Sequence, residues 1–263
     1  MCRLLGAVTK RVEGHPTSLA EAPRSLAALS HEHPDGWGIA VHDGRDWGLY
    51  RNATCARDDE QFRAIASSAR GRVLIAHIRK ATVGNIDLSN THPFRRDAWV
   101  FAHNGTITEL DYLERRTSSA RRCEIEGSTD SERFFAYLLT ALDEAGATAG
   151  SRKASPGAAY RALRSAVNAA TGQPKFGAAN FLLSDGEVMF VHRLGRTLHT
   201  SSDANGVRVA SEVPADGVWH EVPERTLLAI EAGAVPRIGR ETSRSAASSI
   251  RAAMFSDAPS SAP

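Results

Sequence analysis

The chain has 263 residues, 42% of them hydrophobic and 24% charged, and 32 Lys and Arg against 30 Asp and Glu leave a net charge of +2. That is the balance of an ordinary globular protein and excludes extensive disorder. The small net charge gives no sign of a nucleic acid partner, and no stretch approaches the roughly 20 apolar residues of a membrane span, so neither nucleic acid nor membrane is expected.

Leu4–Thr9 reads as an apolar strand almost at the start of the chain. Thr17–Ser30 has helical spacing (Leu19, Leu26, Leu29), with Thr17 or Ser18 available as N-cap. The turn Pro34-Asp35-Gly36-Trp37-Gly38 leads into Ile39–Val41, which pairs with Trp47–Arg51 as a hairpin across Asp43-Gly44. Asp58–Ala69 predicts a helix capped by its aspartates. Val73–Ala76 is an unbroken apolar run, the pattern of a strand covered on both faces. The polar stretch Lys80–Arg96 is a loop of a length that usually has a function. Trp99–Ala102 is a second covered strand, ending at His103-Asn104-Gly105.

Glu109–Arg116, Asp130–Ala145 and Ala158–Ala170 follow as helices, the second with Phe134, Phe135, Leu138, Leu139 and Leu142 on one face. After Gly172 come short strands, 179–183, 188–192, 197–200, 207–211 and 226–230. Strands in two runs with helices between them indicate an α+β fold, two mainly antiparallel sheets packed together, rather than alternating βαβ units. Residues 2–239 are expected to form one domain and 240–263, rich in Ser and Ala, a flexible tail.

Three cysteines, Cys2, Cys55 and Cys123, have no paired spacing, which argues against a disulfide scaffold or zinc ribbon. The apolar stretch after Met1 is too short for a signal peptide, so a cytoplasmic location is expected. Four stretches are unusual: Met1-Cys2-Arg3, His77–Gly84, His103-Asn104-Gly105 and Ser128–Glu132. Further elements are His33–Gly38, Asn90-Thr91-His92-Pro93-Phe94 and Phe181–Gly186. In this order, over roughly residues 2–235, they resemble the glutaminase domain of class II glutamine amidotransferases, in the N-terminal-nucleophile hydrolase superfamily. The resemblance is greatest to stand-alone members such as the γ-glutamyl hydrolase of ergothioneine biosynthesis. It implies a four-layer αββα sandwich and an N-terminal-cysteine amidohydrolase acting on a small-molecule γ-glutamyl substrate, with no cofactor and no metal.

Cys2 can then be read as more than a thiol. A free cysteine with pKa about 8.5 is mostly protonated at neutral pH. If Met1 is removed, the same residue bears an α-amine of pKa about 7.7–8.0, a general base beside its own nucleophile. The alternative is an inert N-terminal cysteine. The resemblance gives Arg79 the α-carboxylate of the glutamyl group, with Thr82 and the backbone near Val83 completing that site, and Asp130 the α-ammonium. Asn104 and the Gly105 N–H would stabilise the oxyanion, although Asn-Gly taken alone reads as a hairpin turn. Asp130 equally suits an N-cap or first-turn acid, with Ser128 or Thr129 as the other cap candidates.

The chain departs from synthase-linked relatives at two positions. Lys80 stands where they carry an aromatic residue, and Val83 where they carry a histidine. Three activities follow as expectations: hydrolysis of a γ-glutamyl amide through a Cys2 thioester, a glutaminase subunit feeding ammonia to a separate synthase chain, or a catalytically silent glutamine-binding protein. Among the remaining features, Trp37 is expected to wall the pocket. Arg95-Arg96, Arg115-Arg116 and Arg121-Arg122 are expected to be solvated pairs, Cys55 and Cys123 covered thiols, and His192 a structural histidine.

Overall fold

The computed structural model describes residues 2–147 and 156–231 and the backbone of 237–239. Its elements in chain order are β1 (Arg3–Gly14), α1 (Leu26–Leu29), β2 (Trp37–His42), β3 (Trp47–Asn52), α2 (Glu60–Ser68), β4 (Arg70–Ile78), β5 (Phe94–Arg96), β6 (Trp99–Ile107), α3 (Leu110–Arg116), α4 (Ser119–Cys123), α5 (Asp130–Glu144), α6 (Pro156–Thr171), β7 (Gly177–Ser184), β8 (Val188–Arg193), β9 (His199–Ser202), β10 (Gly206–Ala210), β11 (His220–Glu221), β12 (Thr226–Glu231) and β13 (Arg237–Gly239). The strands form two antiparallel sheets, one in the order β11-β9-β10-β1-β4-β2-β3 and the other β13-β12-β8-β7-β6-β5.

Alternation along each strand sorts the apolar side chains into three layers. Leu4, Val8, Val73 and Ile75 of the first sheet meet Val100, Ala102, Leu182 and Met189 of the second, forming a core between the sheets. Their neighbours Leu5, Ala7, Leu74 and Ala76 point the other way, onto Leu26 of α1 and Phe62 of α2. On the far side Phe101, Phe181 and Phe190 pack against Phe134, Phe135 and Leu138 of α5 and Leu163 of α6. Both faces of each sheet are therefore covered, which is why these strands read as continuous apolar runs. The architecture is the four-layer αββα sandwich.

Several local expectations are corrected. Thr17–Ser30 is not one helix: Pro23 forces Ala22 out of helical geometry (φ −68°, ψ 152°), leaving a single wide turn at Thr17–Glu21 and the separate α1, capped by Ser25 rather than Thr17 or Ser18. The strand at Trp99 does not end at His103 but runs to Ile107, so Asn104-Gly105 is strand, not turn. Trp37 is buried in the helical layer, edge-on to Phe62 with its indole N–H on Asp59 Oδ2 at 2.8 Å. Cys123 is exposed, whereas Cys55 is half-buried. Arg121 is buried, its guanidinium bound to Asp143 at 2.7 Å and to Glu124 and Asp97, and Arg96 binds Glu132 at 2.7 Å. His192 is buried with Nδ1 2.7 Å from the Ala179 carbonyl, a satisfied structural histidine. The tail expected at 240–263 lies outside the described residues.

Candidate active site

The strands that fill the inter-sheet core in their middles turn polar at one end. β1 begins at Arg3, paired with Ile78 at the end of β4, so antiparallel register brings Cys2 beside Arg79. Trp37 also pairs with Ile78, so the turn His33–Gly36 joins the same sheet end. The Gly36 carbonyl accepts from Arg79 N (2.7 Å), and Asp35 N donates to the Arg79 carbonyl (3.0 Å). Asp35 Oδ2 accepts from Ala81 N at 2.8 Å, which fixes the start of the long loop.

Cys2 is half-buried, its Sγ 3.3 Å from Lys80 N, which donates to it, and 3.5 Å from the Lys80 carbonyl. Burial pushes the thiol above its ordinary pKa; the Lys80 N–H and the Arg79 charge work in the opposite direction. Standing thiolate is thereby disfavoured, and a base must take the proton as the sulfur reacts.

Arg79 is 3% exposed. Its guanidinium donates to the carbonyls of Val83 (2.9 Å), Gly84 (3.3 Å) and Asn85 (3.0 Å). Gly84 sits at φ +74°, a conformation costly for a side-chain-bearing residue, and this turns the loop carbonyls inward. Burial lowers the guanidinium pKa, while Cys2, Asp35, Asp130 and Asp87 raise it, so Cys2 and Asp130 both lie within its field. From the same loop, Thr82 is exposed and its hydroxyl reaches Thr106 of β6 at 3.4 Å, linking the two sheets at this end.

Asn104 lies on β6 with Val100 and Ala102, on the face that meets the first sheet, and is 4% exposed. Opposite it, Asn180 spends its amide on the Arg196 and Thr197 carbonyls and on Leu194 N–H. The Asn104 amide, by contrast, bonds to no other described side chain or backbone group. Gly105 is required by packing: a Cβ there would lie 1.9 Å from the Ala178 oxygen and 2.7 Å from His103 Nε2.

Asp130 is not the cap of α5. Thr129 is, its hydroxyl accepting from Glu132 N. The buried Asp130 carboxylate reaches across to β6, where Oδ2 accepts from Ile107 N at 2.6 Å. Its Oδ1 lies 3.5 Å from Ser131 Oγ, whose one proton is directed instead to His103 Nδ1 at 2.8 Å.

One structural device went unread in the sequence. His103 Nε2 lies 3.1 Å from the Ala178 carbonyl and Nδ1 lies 2.8 Å from Ser131 Oγ. A carbonyl only accepts, so Nε2 carries the proton and Nδ1 accepts from the serine. The imidazole thus ties β6 beside Asn104 to the N-terminus of α5 beside Asp130. The signal for it, a serine directly after Asp130, is too common to stand out. Among the described residues no group of three or more His, Cys, Asp or Glu is placed to hold a metal ion, and no helix is long and apolar enough to cross a membrane.

The sequence profile of the class II glutamine amidotransferases matches residues 1–204. The chain belongs to that family. It is 29% identical over 242 residues to a γ-glutamyl-hercynylcysteine sulfoxide hydrolase of Mycobacterium tuberculosis, covering 88% of this chain and 93% of the relative. A Haemophilus influenzae protein, whose name assigns it provisionally to the glutamine amidotransferases, is 34% identical over 200 residues, 73% of this chain. The match spans 63% of that relative, less than two thirds of its length. Among solved structures, a glutamine aminotransferase class-II domain protein from Silicibacter pomeroyi superposes with TM-score 0.63 at 22% identity, over 90% of this chain and 99% of the other. The Bacillus subtilis glutamine phosphoribosylpyrophosphate amidotransferase gives 0.65 at 20% identity, over 91% of this chain and 49% of its own. These two likenesses carry the fold.

Proposed function

We propose that the chain hydrolyses a γ-glutamyl amide through a thioester on Cys2. Removal of Met1 frees the Cys2 amine, which takes the thiol proton as sulfur attacks the δ-carbonyl. Asn104 and the Gly105 N–H stabilise the oxyanion, the amine leaves with the proton, and water releases glutamate. Arg79 holds the substrate α-carboxylate, exchanging loop carbonyls for it, with Thr82 at the rim. Asp130 Oδ1, the less occupied of its oxygens, takes the α-ammonium. Arg79 and Asp130 together select an unsubstituted amino-acid head, because a ligand lacking it leaves buried charges unpaired.

The observation that carries this reading is the meeting of Cys2 and Arg79 at paired strand ends, with Asp130 inside the field of both. The unpartnered amide of buried Asn104 supports it from the facing sheet. The protein acts in the cytoplasm on a small molecule. Ammonia delivery to a separate synthase chain is the second reading, favoured by the 34% identity to the H. influenzae protein whose name assigns it to the amidotransferases.

The test is glutamate release from glutamine and from γ-glutamyl amino acids, measured side by side. Activity on either, lost about 10³-fold or more in Cys2→Ala, is the expected result. Inactivity on both, together with tight glutamine binding, would favour the silent binding protein.

A further inference from the structure

Cleavage of a γ-glutamyl amide can release ammonia or a larger amine. We propose that this amine carries a carboxylate, received by Lys80, so that the preferred substrates are γ-glutamyl amino acids or peptides; this rests on the Cys2 thioester reading.

The Cys2 amine returns its proton to the leaving nitrogen, so that nitrogen lies within about 3 Å of the amine. The amine is the first atom of the mature chain, and the leaving group therefore extends past the beginning of β1. Register then says what is there. Arg3 pairs with Ile78, so continuing the ladder puts Arg79 opposite Cys2, with Lys80 next along the chain. The Lys80 backbone already brackets Cys2 Sγ, at 3.3 Å and 3.5 Å. The residue whose backbone holds the sulfur is thus a lysine, at the position where this chain departs from the synthase-linked pattern.

Charge comes next. Lys80 is exposed, and among the described residues no carboxylate pairs with it. Arg3 donates to the Cys2 carbonyl at 3.2 Å and binds Glu212 at 2.6 Å. Arg24 shares the same Glu212. Asp35, a further acid nearby, is turned onto Ala81 N. Arg79 is enclosed by its loop carbonyls. Cations therefore outnumber acids on this side of the sulfur. Beside them His33 is 2% exposed and neither ring nitrogen has a protein partner. Burial, then Arg3 and Lys80, lower its pKa to about 4 against a smaller opposing pull from Glu212. At neutral pH it is an uncharged imidazole in positive surroundings with an unused N–H, suited to an anion. Ammonia as the leaving group needs neither the lysine nor this donor.

Attack forms the S–C bond, breaks the C–N bond and passes the thiol proton to nitrogen through the Cys2 amine. Water then hydrolyses the thioester, giving glutamate and the free amino acid or peptide. Binding without turnover is read in Cys2→Ala by calorimetry, with γ-glutamyl-glycine against γ-glutamyl-glycinamide, a pair that differs only in the terminal carboxylate. The glycine compound is expected to bind about tenfold tighter, the low end for a charge-assisted contact at an exposed lysine. Adding Lys80→Met should reduce that ratio to under about twofold while affinity for the glycinamide stays the same. Equal affinities, or a ratio that survives Lys80→Met, would overturn the leaving-group assignment and leave the thioester reading standing. Binding of neither compound would overturn both.

Discussion

The middle and the end of the sandwich are built from the same strands and obey different rules. In the middle, Val73, Ile75, Val100 and Leu182 interdigitate between the sheets, and each is fully buried. A few residues further along, His77 near the end of β4 and Arg79 just past it are buried, and β6 carries Asn104, polar groups where the same strands were apolar a few residues earlier. The middle is satisfied within itself. The end keeps groups the protein does not use: the free amide of Asn104, a carboxylate oxygen of Asp130 and a sulfur under one backbone N–H. A sheet pair with both faces covered can place chemistry only at its open end, where strands stop and loops begin.

This contrast can be broken by substitutions that should separate stability from chemistry. Leu182→Ala opens a cavity between the sheets, where Leu182 Cδ1 packs against Gly6, and should cost about 2–5 kcal/mol of unfolding free energy in denaturant melts. The kcat and KM of the folded enzyme should change little. Arg79→Ala should do the reverse: KM for the γ-glutamyl substrate rises about 100-fold, or about 2.7 kcal/mol, while the reaction of Cys2 with small alkylating agents stays similar. Unchanged affinity would remove the carboxylate role from Arg79.

The buried histidines sharpen the contrast through pH. His77 and His192 are buried with pKa values lowered to about 3 and about 4, from an ordinary 6.5, burial being the first cause in both. Both are neutral when folded and charge more readily when unfolded, so the unfolded state binds more protons between those values. Stability should therefore hold above pH 6.5 and fall as pH drops towards 4, by up to about 1.4 kcal/mol per pH unit for each such histidine. A stability curve flat from pH 7 to 4 would mean that these rings are not shielded. The smallest effect is expected at Thr82→Val, a several-fold rise in KM, since its hydroxyl is exposed and meets only Thr106.

Most of the layers were legible in the sequence because covering both faces of a sheet leaves an unbroken apolar run, as in Val73–Ala76, and because Asp59 caps α2 as its chemistry suggests. What escaped was set by distant contacts. Asn104-Gly105 has the composition of a turn, and only the approach of Ala178, more than 70 residues later, makes it strand. Arg121 looked solvated because Asp97 and Asp143 are each more than 20 residues away in sequence. The break at Pro23 was local and readable, but leucine spacing masked it. At the proposed site, the family resemblance carried by residue types and their order pointed to Cys2, Arg79, Asn104 and Asp130. The His103–Ser131 tie between β6 and α5 could come only from geometry.

The most direct measurement joins intact mass to labelling with an electrophilic glutamine analogue. The account predicts a mature chain beginning at Cys2, modified once at that residue and protected by excess substrate, with no modification in Cys2→Ala. A chain that keeps Met1, or a label that persists in Cys2→Ala, would contradict it.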